Sequence, residues 1–101
     1  MRTMIAALMI AAAFPAFAAD YSGYVERPYS VLAERLAGDG WKPGSRTDYC
    51  DTFSETCDEL PGVIRCTASS IFRCRIEWTR DGEKLIVSIV GEDNYKIEAV
   101  Q

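Results

Sequence analysis

FRCRIEWTRDGEKLIVSIVG, residues 72–91, decides the fold. Phe72, Cys74, Ile76 and Trp78 alternate with Arg73, Arg75, Glu77 and Thr79, the two-residue period of a strand with one face buried and one wet. Asp81-Gly82 follows, a dipeptide suited to the two-residue hairpin turn whose central residues both take positive φ. Folding the chain back on that turn sets Arg80 against Glu83, Trp78 against Leu85, Ile76 against Val87 and Cys74 against Ile89. Apolar side chains then meet on one face, and an opposite-charge pair closes the turn. A slip of one residue would send every apolar side chain to the wrong face, so this register is strongly specified.

Downstream, a three-residue loop at Glu92-Asp93-Asn94 brings Ile97 against Ile89 and Ala99 against Val87. A two-residue loop would set Lys96 against Ile89 and is rejected. The pattern predicts a three-stranded antiparallel meander over about 71–80, 83–91 and 95–100, with residues 62–66 a candidate fourth strand. Upstream, Pro28 suits the first turn of a helix, and Tyr29, Leu32, Ala33 and Leu36 fall at i, i+3, i+4 and i+7. Gly38 and Gly40 supply the stop, since glycine accepts the left-handed conformation common just past a helix end. Trp41 follows and is expected to cap one end of the core. The fold class is therefore α+β: one N-terminal helix, about 28–37, packed on the inner face of the meander.

The first residues read as an export signal: Arg2 gives a positive start, residues 4–14 are apolar, and Ala16-Phe17-Ala18 offers small residues to a signal peptidase. Cleavage is expected after Ala18, leaving a single mature domain over 19–101. The apolar run is too short to span a bilayer, which takes about 20 apolar residues, and later apolar runs are only strand-length. A periplasmic or secreted location follows. Loss of residues 1–18 removes one of eleven basic side chains and none of fifteen acidic ones, moving the net charge from −4 to −5. That balance speaks against nucleic acid as a partner.

A domain this small has a small core and benefits from covalent staples. The four cysteines Cys50, Cys57, Cys66 and Cys74 are separated by six, eight and seven residues, unlike the close pairs of zinc or thioredoxin-like sites. In an exported chain without histidine they read as two disulfides. Three connectivities are open. The segment CTASSIFRC, which can fold back on itself, favours Cys50–Cys57 with Cys66–Cys74.

The lack of histidine removes most acid–base and nucleophile arrangements, and no serine sits in a G-x-S-x-G context. No nucleotide-binding glycine loop occurs, and Glu77 and Glu98 share the outer sheet face with Arg73, Arg75 and Lys96, as surface ion pairing requires. No catalytic residue and no cofactor are expected, and an enzyme is not. Trp78 reads as core by register. The outer face also carries Thr79, Lys84, Ile86, Ser88, Val90 and Val100, so four positive charges stand against two negative ones on an acidic protein. The reading is a non-catalytic binding module that meets another protein of the bacterial envelope, as inhibitor or accessory factor, with Arg73, Arg75 and Lys96 as contacts. An alternative is a calcium or small-ligand binder using Asp48, Asp51, Glu55, Asp58 and Glu59 in the segment 48–59. This segment lacks the EF-hand pattern and otherwise reads as a solvated loop.

GDGWKP after the helix, then PGVIRC, CRIEW and VSIVG, resembles a group of small exported bacterial proteins of uncharacterised function, through Gly40, Trp41, Pro43, Pro61, Cys66, Cys74, Trp78 and Gly91. Similar proteins often carry a glycine-rich link between the last two cysteines, where this chain has TASSIFR. The resemblance implies export and an α+β fold and brings no catalytic residues. In architecture alone, a helix on an antiparallel sheet is also similar to PepSY domains and to the repeat of periplasmic β-lactamase-inhibitor proteins.

Overall fold

The computed structural model describes residues 16–68, 70–91 and 94–101. Residues 1–15 of the expected export leader lie outside them, as do Glu92 and Asp93 of the last hairpin loop. The described chain is α+β. Its elements are α1 (Ala16–Ala19), a 3-10 turn (Ser22–Tyr24), α2 (Tyr29–Gly38), β1 (Lys42–Pro43), α3 (Tyr49–Thr52), α4 (Ser54–Glu59), β2 (Val63–Ala68), β3 (Phe72–Arg80), β4 (Glu83–Val90) and β5 (Lys96–Val100). The five strands form one antiparallel sheet. β4 lies along one side of β3 with β5 beyond it, while β1 and β2 lie end to end along the other side.

The β3–β4 register is the expected one, with Arg80 against Glu83, Trp78 against Leu85, Ile76 against Val87 and Cys74 against Ile89. Asp81 and Gly82 both adopt positive φ, 51° and 83°, which matches the twist of the hairpin. The inner face (Cys74, Ile76, Trp78, Leu85, Val87, Ile89 and Ile97) is buried throughout.

The β4–β5 register holds at Ile89–Ile97 but departs from expectation beyond it. A bulge between Ser88 and Ile89 sets Ala99 against Ser88 and Val100 against Val87. The extra residue on β5 brings the larger Val100 inward, where it packs on the core, so Val100 does not belong to the outer face. Ile86 and Gln101 then exchange both backbone hydrogen bonds at 2.8 Å. The far edge of β5 is covered by the lead-in chain. Glu26 N–H donates to Ile97 O at 2.7 Å, Ile97 N–H donates to Arg27 O at 3.0 Å, and Pro28 bridges to Lys96. An edge that would otherwise invite pairing is thereby closed.

Helix α2 buries Tyr29, Leu32 and Leu36 as its periodicity requires. Its end is a Schellman turn: Gly40 N–H donates to Ala37 O at 3.1 Å, Trp41 N–H donates to Leu36 O at 2.9 Å, and Gly40 sits at φ 93°. This turn drives the Trp41 ring into the core, where it is 2% exposed. The indole N–H donates to Tyr21 Oη at 3.2 Å, and the Tyr21 hydroxyl donates to Asp39 Oδ2 at 2.7 Å. Arg35 Nε donates to the same oxygen at 2.9 Å. The Arg80 guanidinium lies 4.6 Å from the Trp41 ring centre and donates to Asp39 O at 3.2 Å. Hydrogen bonds from Tyr21 and then Arg35 hold the Asp39 carboxyl below its ordinary value, while burial and the adjoining carboxylate push the Tyr21 phenol up. A second link ties helix to sheet, as the Trp78 indole N–H donates to Tyr29 Oη at 2.8 Å. Trp78 is core, as its register predicted.

The acidic segment is not a loop. It coils into α3 and α4, because Cys50, Cys57 and Leu60 turn to one side and are buried while the carboxylates stay out. The disulfides are Cys50–Cys57 and Cys66–Cys74. The second joins directly paired residues of β2 and β3, and so ties these two strands together where Cys66 meets Cys74. Each bridge is worth about 2–4 kcal/mol in a chain-entropy account.

β1 and β2 meet at Glu77, whose N–H donates to Gly62 O at 2.9 Å and whose O accepts from Gly44 N–H at 2.8 Å. Gly62 sits at φ 90°, and a Cβ there would lie 2.5 Å from Glu77 O and 3.0 Å from Gly44 N, both backbone atoms that cannot move aside. Gly62→Ala is therefore expected to cost about 3 kcal/mol in urea denaturation. Gly23→Ala, where a Cβ meets nothing within 4 Å, should cost less than about 1 kcal/mol.

Asp39 provides a pH-dependent test. A carboxyl whose folded pKa lies below its ordinary value of 3.8 contributes stability above that value and loses it as the pH falls through the folded pKa. The stability difference between wild type and Asp39→Asn should be constant at neutral pH and shrink as the pH drops below that ordinary value. A difference that stays constant through the acid range would show that the carboxylate charge contributes nothing.

Candidate functional site

β3 alternates, so the residues that do not build the core line up on the other side of the sheet. Arg73 and Arg75 project there, and β2 adds Thr67 and Arg65, because Thr67 pairs with Arg73 and Arg65 with Arg75. A bulge between Val63 and Arg65 makes this possible: Val63 keeps its inward place against Ile76 while Arg65 still faces outward. Ser88 of β4 and Glu98 of β5 complete the surroundings of a shallow depression of about 210 Å³.

The arginines here are not equivalent. Arg73 is clamped by Glu98, with Nε 3.1 Å from Oε1 and Nη2 3.1 Å from Oε2, a two-pronged contact that reaches from β3 to β5 and raises its already high pKa. Arg65 and Arg75, directly opposite one another, have no carboxylate partner among the described residues. Like charges directly opposite on a sheet face are destabilising. The expected contact Lys96 is in register with Val90 on the same face, but its Nζ lies 3.5 Å from Glu26 on the covering lead-in chain, at the far edge. The expected outer residue Glu77 pairs instead with Lys84 at 3.4 Å and sits over Gly44.

Of the three predicted contacts, Arg73 and Arg75 are thus neighbours, Lys96 lies outside the depression and pairs with Glu26, and Arg65 is an addition. Arg65 could have been placed from PGVIRC only by foreseeing the bulge at Ile64. A regular strand in which Val63 faces inward would also turn Arg65 inward.

The acidic segment does not converge on a point. Asp58 pairs with Arg46 at 3.1 Å, and among the described residues no three acidic or cysteine side chains lie together in a way that could hold a metal ion. The Tyr21–Asp39–Arg35 cluster keeps its phenol protonated and its carboxylate charged at neutral pH, which makes it a clamp on the helix end rather than a proton-transfer pair. No helix among the described residues is long and apolar enough to cross a membrane.

No family model, no curated protein and no solved structure matches the chain.

Proposed function

We propose that this chain is a non-catalytic, exported binding module of the bacterial envelope that contacts another protein through the outer face of its sheet, as an inhibitor or accessory factor. The leader-like residues 1–18 and the two disulfides support export into an oxidising compartment. The observation that carries the binding reading is Arg65 opposite Arg75, two exposed guanidinium groups without a carboxylate among the described residues, on a chain of net charge −4. Guanidinium forks match carboxylates in a flat, two-pronged geometry, so the partner surface is acidic. Arg73, held by Glu98, presents a pre-positioned edge beside them, and Thr67 and Ser88 add hydroxyls for the partner's remaining oxygens. Lys96, paired with Glu26 at the far edge of the sheet, stands outside this contact.

The test is capture from an envelope extract by immobilised protein. Arg65→Glu with Arg75→Glu is expected to weaken retention of the wild-type partner at least about tenfold, with wild-type retention falling as salt rises. The denaturation midpoint should not fall, since both residues are exposed. Equal retention by the charge-reversed protein overturns the proposal, as does retention of nucleic acid in place of a protein.

A further inference from the structure

On the other side of the sheet, between the first turns of α2 and the sheet's β1 edge, lies a cleft of about 450 Å³, within the size range of about 300–1,000 Å³ common for small-molecule sites. Its walls are apolar and aromatic: Tyr29 and Ala33 from the helix, Pro43 from β1, Trp78 from β3, and Tyr95 before β5. Glu59, the last residue of α4, stands at the rim next to Leu60 and Pro61.

Three features define what would fit. Glu59 is the only charged residue lining the cleft among the described residues, and no cation there pairs with it, whereas its neighbour Asp58 is taken by Arg46. Three aromatic side chains, Tyr29, Trp78 and Tyr95, surround the same space, a wall suited to a hydrocarbon or aromatic body. Tyr29 Oη already accepts the Trp78 indole N–H, so a hydrophobic body packed on the wall leaves no indole donor unsatisfied. The first backbone N–H of α2, on Tyr29, donates to Tyr95 O at 2.7 Å, which blunts the attraction of the helix end for an anion.

From this geometry we infer that the cleft binds a small apolar cation, an ammonium group on a hydrocarbon or aromatic body, with the body between the aromatic walls and the charge toward Glu59. The inference is independent of the arginine face, which lies on the opposite side of the sheet and would take a partner of opposite charge.

The probe is 2-phenylethylammonium, compared with 2-phenylethanol and 3-phenylpropionate at matched concentration. The readout is the NMR signal of the two indole N–H groups. Trp78 lines the cleft, while Trp41 does not line it and serves as the internal control. The ammonium probe should shift the Trp78 signal saturably and leave Trp41 in place, with the alcohol binding more weakly and the carboxylate weakest. Glu59→Gln should reduce affinity for the ammonium about threefold at low salt and leave the alcohol unchanged. Ala33→Phe, which fills the cleft from the helix side, should abolish the shift with all three. The inference is overturned if Trp78 does not respond saturably, if the carboxylate binds as well as the ammonium, or if Glu59→Gln leaves the preference for the cation intact.

Discussion

Strand β3 is the constraint on which the other elements depend, and its register is fixed by the turn at Asp81-Gly82. Both turn residues occupy the left-handed region, so β4 returns without slippage, and three apolar residues of β3 (Cys74, Ile76 and Trp78) meet three of β4 on the inner face. β3 also carries β1 and β2 on its other edge, joined at Glu77 through Gly44 and Gly62. One alternation along β3 thus fills the core with Cys74, Ile76 and Trp78 and exposes Arg73 and Arg75. A shift of one residue would bury guanidinium groups and expose an indole, a change that a domain this small could not survive.

The helix is secured to this sheet at both ends by indole hydrogen bonds. Trp78 reaches up to Tyr29 at the start of α2, and Trp41 is carried into the core by the turn that ends it. Buried aromatic groups with polar atoms need partners, and here each indole finds a tyrosine oxygen. The Tyr21–Asp39–Arg35 contacts and the Arg80 guanidinium over Trp41 extend the second anchor to the surface. The disulfides act elsewhere: one ties β2, which carries Arg65, to β3, and the other ties α3 to α4. Neither is exposed as a dithiol, since among the described residues no cysteine is free.

Where short-range chemistry was decisive, the sequence was readable. Alternation and an Asp-Gly turn were enough for β3 and β4, and the 3.6-residue stripe with following glycines was enough for α2. For the cysteines three connectivities stayed open, and the capacity of CTASSIFRC to fold back only favoured the pairing that the structure has. What escaped were features set by one irregular residue or by tertiary contacts. The bulge on β5 exchanged Ala99 for Val100 opposite Val87, and the bulge at Ile64 kept Arg65 outward; nothing local to either stretch announces an extra residue. The two-residue β1 exists only because β3 offers it an edge. The helices of the acidic segment exist because two cysteines and Leu60 find a buried surface, a long-range gain that a charge count does not register. On the candidate face, Arg73 and Arg75 were legible from alternation, whereas the pairing of Lys96 with Glu26 depended on where the lead-in chain runs.

The functional account rests on a local conflict: Arg65 and Arg75 face each other with no carboxylate between them among the described residues, while Arg73, two residues back along β3 and paired with Thr67, has its own. Such an unbalanced pair lowers stability, and the proposed meeting with an acidic partner is a reason for the fold to keep it. The direct measurement is the stability of Arg75→Gln in urea at low and high salt. The account predicts a gain of about 0.2–1 kcal/mol at low salt that shrinks as salt screens the wild-type repulsion. A loss of stability at both salt concentrations would make the two arginines structural elements of the sheet and remove the ground for assigning them to a partner.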